Sequence, residues 1–352
     1  QPKAIHLQHG RAQCQRRAIC ERGCPYGGYF SSNSSTIPWA MKTGKMTLRP
    51  HSVVHSIIYD EQKKKAVGVR VIDAETKQMT EFHARIIFVN AAALNTNLIL
   101  LNSTSNRFPN GLGNDNGLLG KYVAFHNYRA RISAEYEGML DATTEGKRPN
   151  GPYIPRFRNV FKQETDFLRG YAAGFGAGRG SYTKQDGIGA DLKANLLKPI
   201  LGGWYVGSHM MGETIPKETN FVALDPNQKD PFGIPQLRVS VDYDENDEKM
   251  VKDYLAQMTE MFTVAGFKNI RTSDGKQAPG LDIHEMGGVR MGRDPKTSLL
   301  NKWNQLHTCK NVFVTDGACM TSTSTQNPSL TYMALTARAV DYAVKEMKKN
   351  LI

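Results

Sequence analysis

The chain has 352 residues, 40% of them hydrophobic and 22% charged, enough to bury a sizeable core as one large domain or two ordinary ones. Its formal charge is +12, yet the basic residues are scattered: Lys63-Lys64-Lys65 falls at a turn and Lys348-Lys349 at the end of a helical stretch, where cations are favoured. Neither makes the basic and aromatic groove that nucleic-acid binding needs, no run of eighteen apolar residues is present, and no leader is legible from Gln1 to His6 in a chain that does not begin with Met.

In chain order, residues 1–50 are polar and glycine-containing around Cys14, Cys20 and Cys24-Pro25. Close thiolates followed by Cys-Pro fit iron–sulfur ligation, and reduced cysteines or one disulfide bracing an irregular loop fit equally well. The total of five cysteines is odd, which argues against a simple disulfide framework. Alternating, β-branched residues over 45–59 and 66–73 predict two strands of a hairpin. A buried strand follows at 85–93, ending in Ala91-Ala92-Ala93, and then a short helix at 94–101.

From 131 to 280 the pattern changes to polar strands and wide loops. The run from Gly170 to Gly180 contains no G-x-G-x-x-G and no strand-to-helix transition, so it reads as a glycine-rich strand or loop beside a cavity rather than a phosphate loop. Trp204, Tyr205, His209 and Met210 offer faces on which a sugar ring could stack, or ordinary core. Two strands joined by a proline-marked loop are expected at 220–225 and 230–241. An amphipathic helix is expected over 246–266, with acids at its start and a glycine past its end.

The closing seventy residues organise the rest. Leu281-Asp-Ile-His-Glu-Met-Gly-Gly-Val-Arg-Met-Gly292 is followed by the apolar run Asn311-Val-Phe-Val-Thr-Asp-Gly317, which reads as a buried strand delivering Asp316 to a ligand. Asn327-Pro-Ser-Leu-Thr-Tyr-Met333 then opens a helix, with Pro328 where a first turn tolerates proline. Alcohol oxidation removes a hydroxyl proton while hydride leaves the carbon. A histidine, His284, suits the base, and a neutral amide, Asn327, suits orientation of the same oxygen. Backbone N–H groups at the start of the last helix would favour negative charge on a reduced cofactor ring.

This arrangement resembles the C-terminal block of the glucose-methanol-choline (GMC) flavin oxidoreductases, most closely the bacterial sugar-dehydrogenase branch and pyranose oxidase, and the resemblance extends over almost the whole chain. It implies an α/β fold with an α+β substrate part: a cysteine-containing region at 1–50, FAD-binding portions at 51–130 and 281–352, and a substrate domain at 131–280. It implies FAD held by Val54, Ala92, Asp316, Gly317, Asn327, Pro328 and Ser329. The substrate implied is a sugar or glycoside, oxidised for example at C3, with electrons passing to an acceptor subunit or cytochrome in a periplasmic or cytoplasmic setting, or to oxygen as in pyranose oxidase; the alternative is a non-catalytic, truncated flavoprotein fragment serving as a binding subunit. Some members carry a three-iron cluster at a Cys…Cys-x-x-x-Cys-Pro segment; Cys20 and Cys24 match that pair, and Cys14 lies one residue farther upstream than that pattern. The glycine turn that approaches the pyrophosphate in dinucleotide folds has no counterpart here, so the resemblance implies the C-terminal part of a larger enzyme.

Overall fold

The computed structural model describes residues 9–17, 20–142, 151–281 and 283–352; the chain start, read above for a leader, lies outside the described residues. After the irregular cysteine region and helix α1 (Thr36–Lys42), an antiparallel meander forms from β1 (Ser52–Asp60), β2 (Lys65–Asp73) and β3 (Met79–His83). Its first turn is closed by the Asp60 carboxylate accepting the Lys63 N–H at 2.9 Å, with Lys64 taking φ +53. The expected hairpin is therefore present. The run at 85–93 yields only two strand residues, β4 (Ile87–Phe88), before helix α2 (Ala93–Leu101).

The middle of the chain forms a six-stranded sheet. Its strands are β5 (His126–Asn127), β6 (Ala130–Tyr136), β7 (Tyr153–Ile154), β8 (Tyr171–Tyr182), β9 (Ile200–Glu213) and β12 (Lys268–Asp274). They run β12-β6-β9-β8-β7, with β5 pairing the end of β9. Short helix α3 (Ala190–Leu196) links β8 to β9, and β10 (Phe221–Lys229) pairs with β11 (Pro235–Ser240) in a separate hairpin. The expected amphipathic helix is α4 (Glu245–Val264), whose Met250, Val251, Tyr254, Met258 and Phe262 recur at helical spacing and are buried against one face of the sheet with Tyr171, Ala173 and Met210. Asp244 caps it by accepting from Asn246 N and Asp247 N, while Asp247 accepts from Asp244 N.

The chain then returns to the first layer. Strand β13 (Val312–Phe313) lies parallel to β4, and helix α5 (Ser329–Lys348) closes the fold. The buried Asn311 carboxamide ties the pieces together, donating to Ala66 O at 2.6 Å and Arg85 O at 2.9 Å and accepting from Ala66 N at 3.1 Å. Ile57, Leu100, Leu112, Val289, Leu300 and Val314 form the core here, distinct from the one beneath α4. Only Ala339 and Ala343 of α5 are buried, and Leu330, Met333, Val340 and Val344 are exposed.

Candidate active site

Two consecutive glycines fix the segment that carries His284. Gly287 and Gly288 take φ +88 and +90; a Cβ on the first would lie 2.1 Å from Tyr122 O and one on the second 2.2 Å from the Asn97 carboxamide. Asn97, on α2, donates to Gly287 O at 3.0 Å. His284 itself takes φ +65, and its ring meets that of His126 edge to face, with centroids 4.9 Å apart at 80°. His284 Nδ1 and His126 Nε2 are both buried without a protein partner.

Burial lowers the pKa of both imidazoles. That of His126 is taken down to about 4, with the neighbouring His284 adding to the effect and backbone groups of Gly212, Gln326 and Ser324 partly opposing it. His284 is lowered by burial, with Glu285 opposing. At neutral pH the pair is uncharged, and each ring keeps one nitrogen with an available lone pair.

His126 also joins His284 to the second half of the site, since it pairs with Glu213 at the end of β9, the strand that carries His209 and Met211. Asn327 borders a cavity of about 390 Å³ together with Thr325, Gln326, Tyr153, Phe175, His209 and Met211. Strand alternation explains this wall. Gly174 faces His209 and Ala172 faces Met211 across β8 and β9, whereas Ala173 and Met210 point to the core beneath α4. The His209 ring occupies the space a side chain at 174 would need, with Nε2 only 2.3 Å from the position of a Cβ. Of the four residues proposed from sequence to face a sugar, Met210 is core and His209 lines this cavity. Trp204 stands farther along the sheet, donating to Met139 O.

The residues expected at the cofactor gather elsewhere on the same layer. Asp316 caps a 3-10 turn, Gly317–Cys319, by accepting from Ala318 N at 3.0 Å, and its other oxygen accepts from Thr96 Oγ1 at 2.5 Å. Burial raises its pKa. Thr96, which sequence reading did not single out, also takes the Ala91 N–H at 2.9 Å and so fixes the Ala91-Ala92 bend, where Ala92 has φ +66. Gly317 packs so closely that a Cβ would come within 2.4 Å of Glu285 O. Helix α5 begins after Pro328 with no side-chain cap, leaving the first-turn N–H groups, including that of Ser329, without a side-chain acceptor. Val54 and Ala91 line one hollow of about 440 Å³ with Val69, Val89 and Asn90. Backbone donors, a buried carboxylate and close-packed small residues suit a flavin nucleotide.

The cysteine expectation meets a different arrangement. Cys14, Cys20 and Cys24 are free thiols, and among the described residues no three His, Cys, Asp or Glu side chains converge as metal ligands. Cys14 Sγ accepts from Arg16 N at 3.4 Å, and the pKa of Cys24 is lowered first by the backbone N–H of Tyr29, with those of Tyr26, Gly27 and Gly28 assisting against desolvation.

Sequence profiles of GMC oxidoreductases match residues 5–126 and 216–336, on either side of the six-stranded sheet's central strands. The chain belongs to the GMC oxidoreductase family. Among its GMC relatives, a 2-methyl-1,2-propanediol dehydrogenase of Mycolicibacterium austroafricanum is 33% identical over 91% of this chain and 58% of the relative. The fructose dehydrogenase large subunit of Gluconobacter japonicus is 26% identical over 97% of this chain and 61% of the relative. The chain thus spans about three fifths of the length of these curated relatives. A formate oxidase of Aspergillus oryzae RIB40 superposes with a TM-score of 0.61 at 14% identity, covering 90% of this chain and 64% of that one, which speaks for a common GMC fold.

Proposed function

We propose that this chain supplies the substrate wall, the proton acceptor and part of the cofactor cradle of an FAD-dependent dehydrogenase acting on a sugar or glycoside hydroxyl. The observation that carries the reading is the half-buried His284, whose pKa burial lowers, set edge to face on His126 at the end of the strand that lines the cavity bordered by Asn327. FAD, when bound, supplies the hydride acceptor. Asn327 holds the substrate hydroxyl oxygen and aims its carbon, and an imidazole nitrogen of His284 takes the hydroxyl proton. Keeping His284 neutral below neutrality is what burial beside His126 contributes, since a protonated ring could not serve as base. Val54, Ala92, Asp316 and Gly317 are the proposed FAD contacts along the layer, with Pro328 and Ser329 at the start of α5.

A ring secondary hydroxyl such as C3 is the proposed position of attack. The name of the relative from Gluconobacter japonicus, a large subunit, supports an acceptor subunit as the route for electrons. An oxygen-using oxidase is the near rival, and rates with artificial dyes against oxygen separate the two. An iron–sulfur centre on Cys14, Cys20 and Cys24 rests on spacing alone, and iron and labile-sulfide analysis of the intact protein under anaerobic conditions decides it. The main test is flavin reduction in the intact parent enzyme with a panel of glycosides. His284→Ala should slow it by about 10²–10⁴-fold with little loss of FAD, and an unchanged rate would remove His284 from the role.

A further inference from the structure

We propose that Glu213 is a positioning residue that, through Ser322, sets where residues 320–328 present Asn327 to the cavity. The proposal rests on the role given to Asn327 above. Glu213 ends β9 and is 5% exposed. A carboxylate so deeply buried costs several kcal/mol unless paired, roughly the Born penalty left after relaxation. Two guanidinium groups approach it, Arg156 Nη1 at 3.5 Å and Arg169 Nε at 3.7 Å. Both distances exceed the roughly 2.7–2.9 Å of a strong charge-assisted bond.

The closest partner is instead the Ser322 hydroxyl, which donates to Glu213 Oε1. The same Ser322 oxygen accepts from Ser324 N at 3.0 Å, and Ser324 takes the left-handed φ of +56. A relay from Glu213 to Ser322 to Ser324 therefore shapes the bend three residues before Asn327. His126, the cross-strand partner of Glu213, meets the His284 ring edge to face. Asn327 and His284 are in this way referenced to the same few atoms of β5 and β9. A displacement of about 1 Å between reacting groups can cost on the order of 10²-fold in rate.

The test uses the intact parent enzyme with Ser322→Ala, Glu213→Leu and the double variant. Ser322→Ala should keep FAD content and KM within about threefold, slow flavin reduction at saturating substrate by about 10–100-fold, and speed hydrogen exchange of the 320–328 amides by about tenfold. The double variant should be no slower than the slower single one, because both changes break one relay. Unchanged exchange in Ser322→Ala, or rate losses that simply multiply, would overturn the proposal. If Glu213→Leu does not fold, Ser322→Ala decides alone by rate and exchange. If the wild type reduces no flavin with any alcohol, the proposed function falls, and the exchange measurement still decides whether Ser322 anchors the segment.

Discussion

Single buried groups in this molecule give signed, measurable consequences. His126 has a folded-state pKa of about 4 against 6.5 when exposed, so between those values the unfolded chain binds the extra proton. Its contribution is complete above pH 6.5 and is lost as pH falls to 4, a change of about 3 kcal/mol relative to a His126→Gln variant in chemical unfolding. Asp247 runs the other way. Burial raises it from 3.8 to about 7, and one of its oxygens has no partner, an arrangement a protonated carboxyl tolerates best. Its contribution is complete below pH 3.8 and is lost as pH rises to 7, about 4 kcal/mol relative to Asp247→Asn. The two slopes nearly cancel in the wild type, so each becomes visible only when the other group is replaced. His284 and Asn327 stand out as candidates at this scale because residue type, order and neighbours coincide in one closing motif. Glu213 does not, since its partner Ser322 lies 109 residues away and nothing local marks either residue.

Elements differ in how much of them is written locally. Helix α4 was legible from end to end because its apolar period, its acids and its capping residue all lie within one window. Asp244→Ala should lower its stability by about 1–2 kcal/mol, read as a fall in the thermal midpoint with unchanged FAD content. The hairpin of β1 and β2 was legible for the same reason. By contrast, the apolar runs at 85–93 and 311–317 read as buried strands, the second a short one, and deliver two strand residues each, because their neighbours are set by contacts more than 200 residues apart, such as Asn311 with Ala66. Gly288 shows the cost of such contacts: its φ of +90 and the Asn97 carboxamide leave no room for a side chain. Gly288→Ala should destabilise by more than about 2 kcal/mol in urea unfolding. The cysteine triplet is where spacing decides least, since three close sulfurs can point at one centre or each at its own turn.

Among the described residues the molecule holds two large cores that share no buried residue, one beneath α4 and one around Leu100 and Leu300, with smaller clusters around Val123, Phe125 and Val222 and around Phe313, Ala339 and Ala343. Of the proposed FAD contacts, Val54 packs against the core around Leu100 and Leu300, and Asp316 and Gly317 adjoin its Ala318 and Cys319. Adding FAD to the intact parent enzyme at 100 times its Kd should stabilise it by about 2.7 kcal/mol. The gain in hydrogen-exchange protection should concentrate at 91–97, 316–320 and 328–332; protection confined to the six-stranded sheet would contradict the assignment. The sheet has a property of its own. Beyond His209, the cavity-side positions Gly176 and Gly178 of β8 face open space, and the adjoining hollow of about 640 Å³ is floored by them together with Gly207. A wall left bare of side chains is blank ground for selection. One codon change at Gly176 or Gly178 can raise a new feature over this hollow without displacing a packed neighbour, so a lineage can reshape this face while the proposed proton-handling pair stays untouched.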